Sequence, residues 1–146
     1  MGHSFLMEGG LWRIEGKWLE RQVSIPVRGK IVVTWDEADW FTMVTKLIFP
    51  DSDRQEISYR CRGRLNRGER QYSYALKQNI LGRIEGEGWL ADRSIVQRYW
   101  VLSDPSKRTG FETFYQLEED TYHLCGGILA GHYITSTIEA LLKRQA

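Results

Sequence analysis

The last stretch of the chain, His132–Arg144, constrains the fold more than any other. It reads His-Tyr-Ile-Thr-Ser-Thr-Ile-Glu-Ala-Leu-Leu-Lys-Arg. Counted by twos, Ile134, Ser136, Ile138, Ala140 and Leu142 fall on one face, and Tyr133, Thr135, Thr137, Glu139, Leu141 and Lys143 on the other. A period of two with one apolar face is the pattern of a half-buried β-strand. A strand this long presents a row of unpaired backbone groups unless another strand covers it. The first alternating run, around Trp12–Leu19, is the available partner, and pairing first to last closes a barrel.

Other runs fit the same reading. In Leu11–Arg21, Trp12, Ile14, Gly16 and Trp18 share a face. Ser24–Gly29 reads as a turn or short loop, followed by a β-branched run at Lys30–Trp35. Asp36–Asp39 is a turn and Trp40–Phe49 the third run. In Ile57–Leu65 the set Ile57, Tyr59, Cys61, Gly63 and Leu65 points inward. Asn66–Glu69 is a hairpin turn, and Gln71–Lys77 follows with Tyr72, Tyr74 and Leu76 inward. Leu81–Trp89 carries Gly82, Ile84, Gly86 and Gly88 on one face. Ser94–Leu102, Thr109–Leu117 and Tyr122–Leu129 complete the series, with Ala130–Gly131 as the last tight turn. The even spacing and short links predict an all-β chain, a closed antiparallel up-and-down barrel of about ten strands. Such a barrel has a cavity somewhat wider than the eight-stranded barrels that hold one small ligand. With an even strand count, Trp12 and Arg144 meet at one end, the floor, and Trp18 and His132 at the other, the mouth.

The 146 residues suit one domain, 9–146, with 1–8 expected as a disordered or foreign start. Lys plus Arg number 20 and Asp plus Glu 19, so net charge calls for no nucleic acid or other polyanion. Arg60, Arg62, Arg64, Arg67 and Arg70 form a local basic stripe, which reads first as a solvated outer face. Cys61 and Cys125 fall on non-adjacent strands and opposite faces, so a disulfide is not expected and a reducing, cytoplasmic setting is. No apolar run approaches the roughly 18–20 residues of a membrane helix. No histidine, cysteine or carboxylate cluster has metal-ligand spacing, and no Ser-His-acid order carries a nucleophile elbow. Gly10–Lys17 imitates a phosphate loop but has five residues between its glycines and Trp18 after the lysine, so it is set aside.

Gly10-Leu11-Trp12 on the first strand, with Arg144 ending the last, resembles the Gly-x-Trp and late-arginine closure of the calycins, the lipocalins and their fatty-acid-binding and avidin-like relatives. The resemblance implies a lipocalin-like barrel in which Arg144 stacks on Trp12 at the floor. Gly10–Gly16 and Ile138–Arg144 also look like the first and last strands of nitrobindin-type haem barrels. The iron-binding histidine of that family falls at Thr137 here, so haem is not carried over and no cofactor is implied. Ten-stranded calycins include phycobilin lyases as well, without a residue match in this chain.

Inward tyrosines Tyr59, Tyr72 and Tyr74, with Tyr99 and Gln97, place polar tips inside the barrel, which suits a cavity with a few orienting groups. Ser136 shares the inward face of the last strand. Inward glycines on the sixth strand either supply room or mark bends. At the mouth, Trp18 is expected to stack on a ligand and His132 to hydrogen-bond its polar head, giving an affinity that changes between about pH 5 and 8. One slip of register turns either residue outward, and Gly131 makes a slip easy. The function expected is binding of a small apolar or aromatic molecule inside the barrel, and the residues single out no catalytic group. The alternatives are an isomerase or lyase in the same cavity and an interaction module using the basic stripe. No oligomeric state follows from these residues.

Overall fold

The computed structural model describes residues 2–36, 39–66 and 68–146. Its elements are β1 (Gly10–Glu20), β2 (Val23–Trp35), β3 (Trp40–Ile48), β4 (Ile57–Arg64), β5 (Gln71–Gln78), β6 (Gly82–Leu90), β7 (Ser94–Val101), β8 (Arg108–Glu118), β9 (Thr121–Ala130) and β10 (Tyr133–Gln145). Each strand is antiparallel to its sequence neighbours, and β1 pairs with both β2 and β10. The ten strands therefore form a closed up-and-down barrel, as the alternation predicts, and no helix occurs among the described residues. The closing seam runs from Leu11 opposite Gln145 to Glu20 opposite Ser136, with Trp12 opposite Arg144 and Trp18 opposite Ile138.

Period two decides the core. Trp12, Ile14 and Trp18 of β1 are buried with Ile138, Ala140 and Leu142 of β10, while Arg13, Glu15, Glu139 and Lys143 face out. Trp12 is 0% exposed, and the Arg144 guanidinium carbon lies 6.0 Å from its ring centroid. Arg144 also donates to the Gly9 carbonyl at 2.8 Å and to the Glu8 carboxylate at 2.7 Å. These bonds tie the seam to the chain entering β1.

Three places depart from the sequence reading. Ser24–Gly29 is not a loop but part of β2, and the turn before it is Arg21–Gln22, both left-handed, with φ of 52° and 65°. That is the conformation of a two-residue hairpin turn. Pro26 is tolerated because β2 pairs with β3 only from Arg28 onward, so Pro26 has β1 alone beside it.

Residues 2–8 are not a loose start. Phe5 and Leu6 are each 1% exposed and fill the floor beneath Trp12. The Phe5 ring meets Trp12 edge-on at 5.2 Å, Phe114 at 4.8 Å and Tyr122 at 5.7 Å. The Trp35 indole donates to the Leu6 carbonyl at 2.8 Å, and Gln116 to the Gly2 carbonyl at 3.2 Å. His3 Nε2 lies 2.7 Å from the Ala91 carbonyl, which only accepts, so Nε2 carries the proton. Nδ1 is then free to accept from the Tyr122 hydroxyl at 2.7 Å.

The third departure is at the start of β10. Register shifts between Ile134 and Ser136, where Ile134 faces Leu129 and Ser136 faces Ile128. Thr135 is thus an extra residue on β10, a β-bulge. Below it the expected phase holds. Above it the alternation ends, and Ile134 at 60% and Tyr133 at 78% are both exposed.

Candidate functional site

With the floor filled, the open interior lies in the mouth half. The space free of atoms is about 880 Å³ counted with the solvent at its open end, an upper bound on what a ligand could fill. Aliphatic side chains dominate its wall, among them Met43, Leu47, Ile57 and Ile84. The aromatic part of the wall rests on glycine. Tyr72 is opposite Gly88, Tyr74 opposite Gly86, and Tyr99 opposite Gly110. A Cβ on these glycines would lie 2.1, 2.3 and 2.0 Å from the facing tyrosine Cζ. The inward glycines therefore seat the rings flat against the sheet, which keeps the middle of the barrel clear.

Polar tips converge at one level. The Tyr72 hydroxyl donates to Gln97 Oε1 at 2.6 Å, and Gln97 Nε2 donates to Glu112 Oε1 at 2.7 Å. The Tyr74 hydroxyl reaches the Arg98 carbonyl at 3.4 Å. Glu112 belongs to β8 between inward Gly110 and Phe114, and the part of it that stays accessible faces the cavity. Burial raises its carboxyl above the usual range, and the Gln97 bond offsets part of that rise. Burial likewise raises the hydroxyls of Tyr59, Tyr72, Tyr74 and Tyr99, with the Glu112 charge adding in the same direction. The Cys61 thiol is pushed up to about 12 by burial and by Glu112, so it is an unreactive thiol at neutral pH. Both cysteines are free, Cys61 inside on β4 and Cys125 on β9.

The cavity brings together Trp18, Tyr59, Tyr74, Gln97, Tyr99 and Ser136. Tyr72 sits deeper and reaches the same level only through Gln97. His132 is not among the lining residues. It is exposed in the turn before β10, because the bulge at Thr135 breaks the phase that would have carried it inward. Its expected place beside Trp18 is corrected on that ground. Trp18 instead packs edge-on against Phe49 at 5.4 Å, and the Arg54 guanidinium lies 4.9 Å from both ring centroids. Arg54 is ion-paired with Glu20, so the β3–β4 connection folds over this side of the mouth.

Glu112, Thr45, Gln78 and Thr137 also line the cavity and were not singled out by pattern. Glu112 has a signal, its even spacing from Gly110 and Phe114. The opposite face of β8, with Phe111, Tyr115 and Leu117, is more apolar and obscures it, yet those three are 39%, 44% and 45% exposed. The basic stripe does stand outside. Arg62 pairs with Asp36 at 2.6 Å, Arg70 with Asp92 at 3.2 Å, and Arg62 and Arg64 both lie over Trp40. Arg67, and Glu37 and Ala38 of the Asp36–Asp39 turn, lie outside the described residues.

No protein-family model matches the chain, and no curated protein matches it significantly. Among solved structures it is similar to the S-type phycobiliprotein lyase CPES from Guillardia theta, at 15% identity and a TM-score of 0.66, covering 95% of this chain and 89% of that one. It is also similar to Rv2717c from M. tuberculosis, at 14% identity and a TM-score of 0.70, covering 94% and 92%. These likenesses span the whole barrel and show a calycin-like fold.

Proposed function

We propose that the protein binds a small apolar or aromatic molecule inside the barrel, in the mouth-side cavity. The observation that carries this reading is the set of tyrosine rings laid on glycines. A barrel selected only for a filled core would use those positions for side chains that meet in the middle. Here rings line the wall, a few polar tips share one level, and the interior stays open, which is the composition of a ligand site. Trp18, Tyr59, Tyr74, Tyr99, Gln97 and Ser136 would contact the ligand, with Tyr72 orienting Gln97. The similar barrel from Guillardia theta is a phycobiliprotein lyase, which supports a small-molecule reading for this one. A second reading, an isomerase or lyase, has its own support in Glu112, a carboxyl on the cavity wall that burial pushes above its usual range and that is placed to give or take a proton. The two free thiols favour a reducing compartment, the cytoplasm.

The test is retention. Native mass spectrometry of the wild type against a library of lipids, pigments and aromatic compounds should show ligands held at unit stoichiometry. Ser136→Phe fills the cavity from β10 and should weaken every such ligand at least tenfold while leaving the barrel folded. A wild type that retains nothing, or a variant that binds equally well, rejects the cavity as the site. Turnover of a retained compound would favour the second reading.

A further inference from the structure

The cavity contains one group that can carry charge at neutral pH. Of its lining residues, Glu112 alone is an acid or base other than phenols and a thiol. The titratable groups facing it are Tyr59 and Cys61 from β4, Tyr72 and Tyr74 from β5 and Tyr99 from β7, all neutral in that range; β9 offers Gly126 opposite it. No lysine, arginine or histidine among the described residues pairs with it. Its one bonded oxygen, Oε1, accepts from Gln97, whose orientation is fixed in turn by the Tyr72 hydroxyl. In the chain Tyr72 to Gln97 to Glu112 each group donates to the next, so one donor reaches the carboxylate and holds it in one place. No protein donor among the described residues bonds its second oxygen.

A buried carboxyl without a countercharge is costly, and proteins keep one where a partner arrives from outside. The complement of this site is a molecule whose body suits the tyrosine and aliphatic wall and whose polar end donates. We propose that the ligand carries a basic nitrogen, an apolar or aromatic amine seated with that nitrogen on Glu112. This rests on the reading of the cavity as a binding site. The same geometry disfavours carboxylic acids, because a second carboxylate would lie against the first with no cation to separate them.

Three probes of one shape decide it: 1-naphthylmethylamine, 1-naphthylmethanol and 1-naphthylacetic acid, titrated calorimetrically at pH 7.5 into the wild type and Glu112→Gln. The wild type should bind the amine about tenfold or more tighter than the alcohol, as expected of one charge-assisted hydrogen bond, and the acid weakest. In Glu112→Gln the advantage of the amine over the alcohol should vanish. If the alcohol binds but the amine has no advantage, or the advantage survives in Glu112→Gln, the nitrogen assignment is overturned and the cavity reading stands. If none of the three binds the wild type, both are overturned. Should Glu112→Gln fail to fold, the same comparison in Glu112→Asp, whose carboxylate is withdrawn by one methylene, must show a reduced amine advantage.

Discussion

Glu112 shows how one side chain can be set against its surroundings. Its folded-state carboxyl titrates above the ordinary value, because burial disfavours the charged form more than the Gln97 bond favours it. For a group with a raised pKa, the stability it contributes is fully present below the unfolded value, about 4.3, and is lost as pH rises through the folded value. Without ligand, wild type should therefore lose melting temperature relative to Glu112→Gln on going from about pH 4 to pH 8. Thermal unfolding of both proteins across that range checks it, and parallel curves would mean that the carboxylate is already satisfied. His132 is the opposite case. Its chemistry suits a ligand head, but an exposed imidazole beyond a bulge has no cavity to serve.

At the scale of elements, neighbouring strands fit because large and small residues face one another. The Tyr99 ring of β7 occupies the space above Gly110 of β8 that a methyl group would take. Gly110→Ala should cost roughly 1–3 kcal/mol, as overpacking does. Adding Tyr99→Leu should recover much of the loss, so denaturant unfolding of the single and double variants should show a coupling of about 0.5–3 kcal/mol. Additive losses would mean that the ring does not depend on its seat. The segment before β1 behaves as an element too. Phe5→Ala should cost about 3–5 kcal/mol, the usual range for a buried aromatic. A loose segment would leave the melting temperature unchanged. The sequence offers no period there to be read. Phe5 and Leu6 are two apolar residues without alternation, and their burial depends on Trp12, Phe114 and Tyr122, from strands far along the chain.

At the scale of the molecule, a ligand that binds only the folded barrel must stabilise it. At a free concentration of 100 times Kd the gain is about 2.7 kcal/mol, a rise in melting temperature of roughly 5–11 °C at this chain length. Any compound retained by the wild type should produce that shift, and Ser136→Phe at the same concentration should show none. A rise of equal size in both proteins would place the compound outside the cavity. Strand number, strand order and the buried side of β1 and β4 were legible in the residues, because side chains of an extended chain alternate by covalent geometry alone. So was the Trp12–Arg144 end, since an even count of antiparallel strands returns the last to the first. Other features belong to the closed barrel. The bulge at Thr135 is a mismatch between two strands, not a property of either. The inward side of β8 was decided by closure against β7 and β9, which turned Glu112 in and left Phe111 and Tyr115 out. The local pattern states that two faces exist, and only the long-range pairing decides which of them is removed from water.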